Sequence, residues 1–436
     1  MFINEKKRPI ILVSTWVVFF TLLMLITNYV TFDNNGDDEI KKIYYADHIF
    51  PVYYELIEEF NELHKGKLEV VPVNLPSVTT NERKEVLSRY LRGNDIIDVF
   101  AVDQIWVKRF SKWAVPLNQY FSQFAKDSLL SKALQSCYNE GELVAMPFNI
   151  DLILMYFRVD KLNYLPDYEE VKKKLVEGMT WQEFIALKQR LKKNSDPYYV
   201  FQADDFEGLV ISFIELLNAQ GKELYEDGVL QLKTDEAKKA LQLLVDFVNK
   251  YKISPPAVTE LRENPSKKYY VEHDGVFLRG WPSFIEEFNE HSDDEDIESK
   301  IEMASIPYFE GHKPITILGG WNLMISKYSD NKNEAAEFVK FLMSKKAQKK
   351  IFKRRNQLPT CKSIYTDTEF TQKNKRLDYY FKLLNRGVYR PFREDYTKIS
   401  DVIAYYAYLA IKREISVADA LEEASRNINL GQVVIR

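Results

Sequence analysis

The stretch Ile40–Val102 begins IKKIYYA (40–46), ends DVFAV (98–102) and carries LEVVPV (68–73) between them. Each run is rich in apolar, β-branched and aromatic residues, the composition of a strand buried on both faces. The intervals read as helices. Apolar residues recur at helical spacing from Val52 to about Leu63, and Thr79 or Thr80 offers an N-cap for a second helix reaching Leu91. Strands alternating with helices of this length predict βαβ units and a parallel sheet. Such sheets bind ligands beyond the C-terminal ends of their strands. Attention therefore falls on the segments beginning near Tyr45, Leu75 and Asp103.

Further along the chain the character changes at Leu143–Tyr156 (LVAMPFNIDLILMY), where two apolar strand-like runs join through Pro147-Phe148-Asn149, with Asp151 close behind. Tyr164 to Tyr270 is mostly helical and rich in Lys and Tyr. Thr180 and Glu183 form a capping box ahead of an apolar run, and Asp235–Tyr251 repeats apolar residues at helical spacing. Asp274–Leu278, Glu302–Ile306 and Trp321–Ser326 read as strands, and the chain from about Asn333 as helix. The acidic run Asp293–Glu298 reads as a solvated loop. Sheet, helices, returning strands, then helices again is the order expected of a two-lobed α/β protein with several crossovers. There is no internal repeat.

In the other direction, Lys6, Lys7 and Arg8 precede an uncharged apolar stretch from about Ile10 to Val30, and Asp33, Asp37, Asp38 and Glu39 follow it. As a helix this stretch is long enough for a bilayer core of ~30 Å. The positive-inside rule puts the first residues in the cytoplasm and the rest outside. A cleaved signal peptide is the rival reading, but Ile26-Thr27-Asn28-Tyr29 offers no small-residue cleavage site. A retained single-pass membrane anchor is expected, with the mature chain starting at or near Met1. Residues 1–31 are then stub and anchor, and 32–39 a short linker.

Composition narrows the rest. Lys plus Arg number 60 against 64 for Asp plus Glu, a net charge of −4, which leaves no basic footprint for nucleic acid. Cys137 and Cys361 fit no metal or redox spacing; two separate buried thiols are expected, with pairing the alternative outside the cytoplasm. The five histidines form no metal-binding pattern, and no cofactor is implied. Aromatic residues make up 14% of the chain. Aromatic faces suit sugar rings, although most such rings are core in any protein. Composition permits a sugar binder without requiring one.

Ordered landmarks then carry a resemblance. Asp98–Asp103 with Trp106 and Trp113-Ala114-Val115-Pro116-Leu117 comes first, followed by Pro147-Phe148-Asn149-Ile150-Asp151 running into Leu154-Met155-Tyr156-Phe157. Thr180-Trp181-Gln182-Glu183-Phe184, Gly275–Pro282 (GVFLRGWP), Gly319-Gly320-Trp321 and Glu334-Ala335-Ala336-Glu337-Phe338 follow, and Arg390-Pro391-Phe392 through Ser400-Asp401 closes the series. Each motif alone is weak. In this order, over about Ile40 to Ile428, the chain resembles family 1 extracellular solute-binding proteins of ABC transporters, the maltose-binding-protein-like group. The resemblance implies a Venus-flytrap, the two-lobed periplasmic-binding-protein fold, with lobe 1 from 40–148 plus 274–325 and lobe 2 from 149–273 plus 326–436. It also implies a monomer that captures a sugar, oligosaccharide or other small solute and presents it to ABC permease subunits, not an enzyme.

The ligand-binding candidates are Trp281, Trp321 and Trp106 for stacking, and Asp103 and Asp151 for charge-assisted hydrogen bonds to hydroxyls. Asn149 and Tyr156 lie in the crossing segment, as ligand contacts or hinge residues. Arg393, Tyr396 and Tyr45 complete the set, with Gly319 and Gly320 letting backbone approach a ligand. Many members of that family are soluble or held by a lipid on a cysteine, so the anchor here leaves a membrane-bound ligand sensor as an alternative. An anchored glycosidase would need two carboxylates across a sugar site. Asp204 and Asp205 are acids of that kind, but sequence does not place them. No nucleophile elbow, phosphate loop or dinucleotide fingerprint occurs.

Overall fold

The computed structural model describes residues 40–432 apart from 77–79, 94–96, 192–196, 292–293 and 295. The expected anchor and linker therefore lie outside the described residues. Among those described, no helix is long and apolar enough to cross a membrane.

The three opening runs fold as anticipated. Lys41–Asp47, Leu68–Asn74 and Val99–Asp103 are strands, with Lys41–Asp47 central and parallel to both neighbours. Trp321–Ile325 adds antiparallel to Val99–Asp103, and Met146–Pro147 closes the sheet on its other side. Helices Pro51–Leu63 and Thr80–Gly93 are the crossovers. Pro51 at the first helical position costs nothing, because that N–H has no partner within a helix.

A second sheet has the order Ile301–Ala304, Leu154–Arg158, Phe277–Gly280, Tyr199–Val200. An aromatic cluster that includes Trp181, Phe184, Tyr198, Tyr199 and Phe277 packs with it, so many of the conspicuous rings are core. The Thr180 capping box forms: its hydroxyl accepts from the Glu183 N–H (3.2 Å) while the Glu183 carboxylate accepts from the Thr180 N–H (2.9 Å). The apolar face of Asp235–Asn249 is buried at Ala237, Ala240, Leu241, Leu244, Val245 and Val248. Cys137 and Cys361 are both buried and unpaired.

The lobe boundaries expected from sequence need correction. Phe277–Gly280 and Ile301–Ala304 pair with Leu154–Arg158 in the second sheet, so only Trp321–Ile325 of the 274–325 block belongs to the first. Helices Lys332–Leu342 and Lys345–Arg355, assigned to the second lobe, pack on Pro51–Leu63 of the first. The reason is physical. An apolar run declares that it is a buried strand without declaring its partner, and the chain changes lobes at a point with no change of composition.

That point is a three-stranded sheet between the lobes. Thr316–Gly319 runs parallel to Gly387–Tyr389 and antiparallel to Asp151–Leu152. Asp151–Leu152 continues into the second sheet, and Thr316–Gly319 passes through Gly320 into the first. The segment after Arg355 runs alongside, with Leu358 bridged to Ile150.

Candidate functional site

Gly319 and Gly320 are the centre of the site because their backbone is where two lobes and two indoles meet. Gly320 has φ 133°, and a Cβ there would sit 2.4 Å from the Asn149 carbonyl oxygen. Only glycine lets these crossing segments touch. At Gly319 a Cβ would meet the tip of the Trp281 ring at 2.9 Å, so its missing side chain is the space the indole fills.

Trp281 and Trp321 are both half-buried, one from each lobe. Trp281 directly follows the strand Phe277–Gly280, and the Tyr156 hydroxyl donates to its carbonyl (2.7 Å). Trp321 starts a first-sheet strand. Its N–H donates to Asn149 Oδ1 (3.1 Å), and its carbonyl accepts from the Phe148 N–H (2.8 Å). The Trp321 ring meets Trp106 edge-on, centroids 5.7 Å apart, and the Arg83 guanidinium lies 4.4 Å from its ring centroid.

Two carboxylates flank this backbone. Asp103 stands opposite Trp321 in the first sheet, and Asp151 opposite Gly319 in the crossing sheet. Asp103 accepts from the Ile105 N–H (3.1 Å) and from Arg390 (3.4 Å). Burial raises its pKa against the pull of Arg390. Asp151 has only the Leu152 N–H (3.0 Å) among the described residues, and burial, reinforced by the Asp103 charge, pushes it up to about 8. At neutral pH Asp151 is mostly a neutral acid. Together these groups set two indoles and two acids along one stretch of crossing backbone.

Several expected residues prove to be supports. Tyr45 and Trp106 are fully buried in the core, the Tyr45 hydroxyl donating to Asp47 (2.7 Å). Tyr156 holds the Trp281 backbone, and Asn149 holds Trp321. Tyr396 is buried and donates to Glu207 (2.9 Å). Arg393 does not join the cluster. It pairs with neighbouring Asp395 (2.8 Å) and lies over Tyr225 (4.3 Å), a rim position.

What the sequence reading missed is Arg390. Its side chain is 2% exposed, and it spans from Asp103 to Glu207, donating to the latter at 2.7 Å. Glu207 opens a second-lobe helix and also accepts from Ser400, so an ionic network around buried Arg390 ties the lobes together. Arg390 is in the Arg-Pro motif quoted above, but a charged residue beside others gives no sign of burial. Arg83, Asp47 and His48, grouped at the C-terminal edge of the first sheet, were also missed.

The model for the bacterial extracellular solute-binding protein family matches residues 50–349. This chain belongs to that family. A probable ABC transporter-binding protein of Deinococcus radiodurans is 25% identical over 338 residues, 75% of this chain and 78% of that one. The maltose-bound MalE3 of T. maritima superposes with a TM-score of 0.79 at 27% identity, covering 89% of this chain and 99% of that one. The GacH receptor of Streptomyces glaucescens shares the fold at 18% identity, with a TM-score of 0.76 over 90% of this chain and 98% of its own. The two-lobed α/β solute-binding fold is established, in a family of binding proteins rather than enzymes.

Proposed function

We propose that this solute-binding protein captures a sugar or oligosaccharide between its lobes and delivers it to an ABC importer. The observation that carries this reading is the pair of half-buried tryptophans, one per lobe, on either side of Gly319-Gly320. Indole faces accept the C–H surface of a pyranose, while Asp103 and Asp151 meet its hydroxyls. The likeness to a maltose-bound protein at 27% identity supports the same ligand class. The apolar stretch 10–30 supports a single-pass anchor, with the folded part on the extracytoplasmic side.

The test is a thermal-shift screen of the full-length chain against mono- and oligosaccharides, with amino acids and polyamines as controls. A ligand present at a hundredfold excess over Kd stabilises the folded state by about 2.7 kcal/mol. The expected result is a shift with a carbohydrate that Trp281→Ala or Trp321→Ala reduces at the same ligand concentration. A shift produced only by a non-sugar solute refutes the sugar assignment. For the anchor, intact-mass spectrometry should find a chain starting near Met1; a start after about residue 30 would refute it.

A further inference from the structure

Two arginines act on His48 at the edge of the first sheet, Arg83 over Trp321 and Arg355 over Phe50. Each has an unspent donor: its Nε is buried and has no hydrogen-bond partner among the described residues. Among the described residues each guanidinium pairs with one carboxylate, at 3.9 Å, Asp47 for Arg83 and Glu287 for Arg355, within ionic attraction but outside hydrogen-bond reach. Those carboxylates are committed elsewhere. Asp47 accepts from the Tyr45 hydroxyl and the His48 N–H (2.7 Å each), and Glu287 is held by Lys267.

The two guanidiniums instead lie on aromatic rings, Arg83 over Trp321 and Arg355 at 3.9 Å over Phe50. Half-buried His48 is edge-on to Phe50 (4.5 Å), and burial first, then the charges of Arg83 and Arg355, lower its pKa. A guanidinium lying over an aromatic ring with an N–H unspent is suited to an oxyanion.

We infer that this edge is a subsite for an anionic substituent on the saccharide, a carboxylate or a phosphate ester, bound by Arg83 and Arg355. The inference rests on the sugar-binding reading and narrows it to acidic sugars. Arg83 gives up part of its contact with the Trp321 face when the sugar ring arrives, and its N–H groups turn to the anion.

The test is calorimetric titration of the full-length chain with a panel of neutral di- and trisaccharides, the same panel oxidised at C6, and the matching sugar 6-phosphates. An acidic member should bind at least about tenfold more tightly than its neutral parent, the scale of one charge-assisted hydrogen bond. The uronate and phosphate arms identify which anion is meant. Arg83→Gln and Arg355→Gln should each erase the preference for the acidic member over its neutral parent, read as the ratio of the two affinities within each variant, and Arg83→Lys should restore only part of it. Should Arg83→Gln fail to fold, Arg355→Gln tests the same claim from a more exposed position. Neutral sugars binding as tightly as their acidic forms would overturn the subsite and leave sugar capture standing. Silence from neutral and acidic sugars alike would overturn both.

Discussion

Arg390 and Arg393 share one short motif and occupy opposite environments. Arg390 is buried between two carboxylates; the Arg393 side chain is 36% exposed beside Asp395. Removing one member of a buried ionic network strands the others, at a cost of about 3–5 kcal/mol, whereas an exposed pair contributes about 0–1 kcal/mol. Arg390→Leu should therefore lower the urea midpoint sharply and Arg393→Ala barely move it; equal effects would refute the assignment. Asp151 adds a pH dependence of determined sign. Its folded pKa of about 8 exceeds the ordinary carboxylate value, so between about pH 4 and 8 the folded state binds more protons than the unfolded. The ligand-free protein then loses this stabilisation as pH rises through that window. Ligand hydroxyls donating to the carboxylate reverse the sign for binding: affinity should rise toward pH 8 and level off above it. Asp151→Asn should flatten both profiles, and a binding profile that falls with pH would refute the contact.

At the scale of elements, the two glycines of the crossing strand make separable predictions. A Cβ at Gly320 meets backbone, which cannot move away, in a conformation that side chains rarely adopt. Gly320→Ala should cost roughly 1–3 kcal/mol or more, seen as a lower melting temperature. A Cβ at Gly319 clashes with the end of the Trp281 ring, a side chain that can swing, and meets Asp151 Cβ at an ordinary 3.6 Å. Gly319→Ala should keep most of the stability and lose ligand affinity. If both variants lost stability alike, the indole would not be the mobile partner. Such elements were legible in part. Strands 41–47, 68–74 and 99–103 follow from runs of buried residue types, and the Thr180 helix from its capping box. Their partners were not legible, because Phe277–Gly280 reads as apolar whichever sheet it joins. At the site, Trp281 and Trp321 stood out by residue type and motif. Arg83 and Arg390 did not, since charged residues are ordinarily solvated and only the fold reveals which are enclosed.

The whole molecule brings these pieces into one device. Trp321, Asp103 and Arg83 belong to one lobe, Trp281 and Glu207 to the other, and the crossing strands are the covalent links on which the lobes can turn. A ligand shifts such an equilibrium only by the difference in its affinity for the open and closed forms. Contacts with a single lobe are the same in both forms and shift nothing; contacts made simultaneously with both lobes exist only on closure. Saturating ligand should therefore reduce the radius of gyration measured by small-angle scattering on the full-length protein. Trp281→Ala removes the second lobe's stacking face while leaving Trp321, Asp103 and Arg83 in place. At ligand concentrations that still saturate it, that variant should compact less than the unaltered chain. Binding without compaction in the unaltered chain would mean that the ligand sits on one lobe alone. Compaction undiminished in Trp281→Ala would move the second lobe's contribution from the indole to the Asp151 strand.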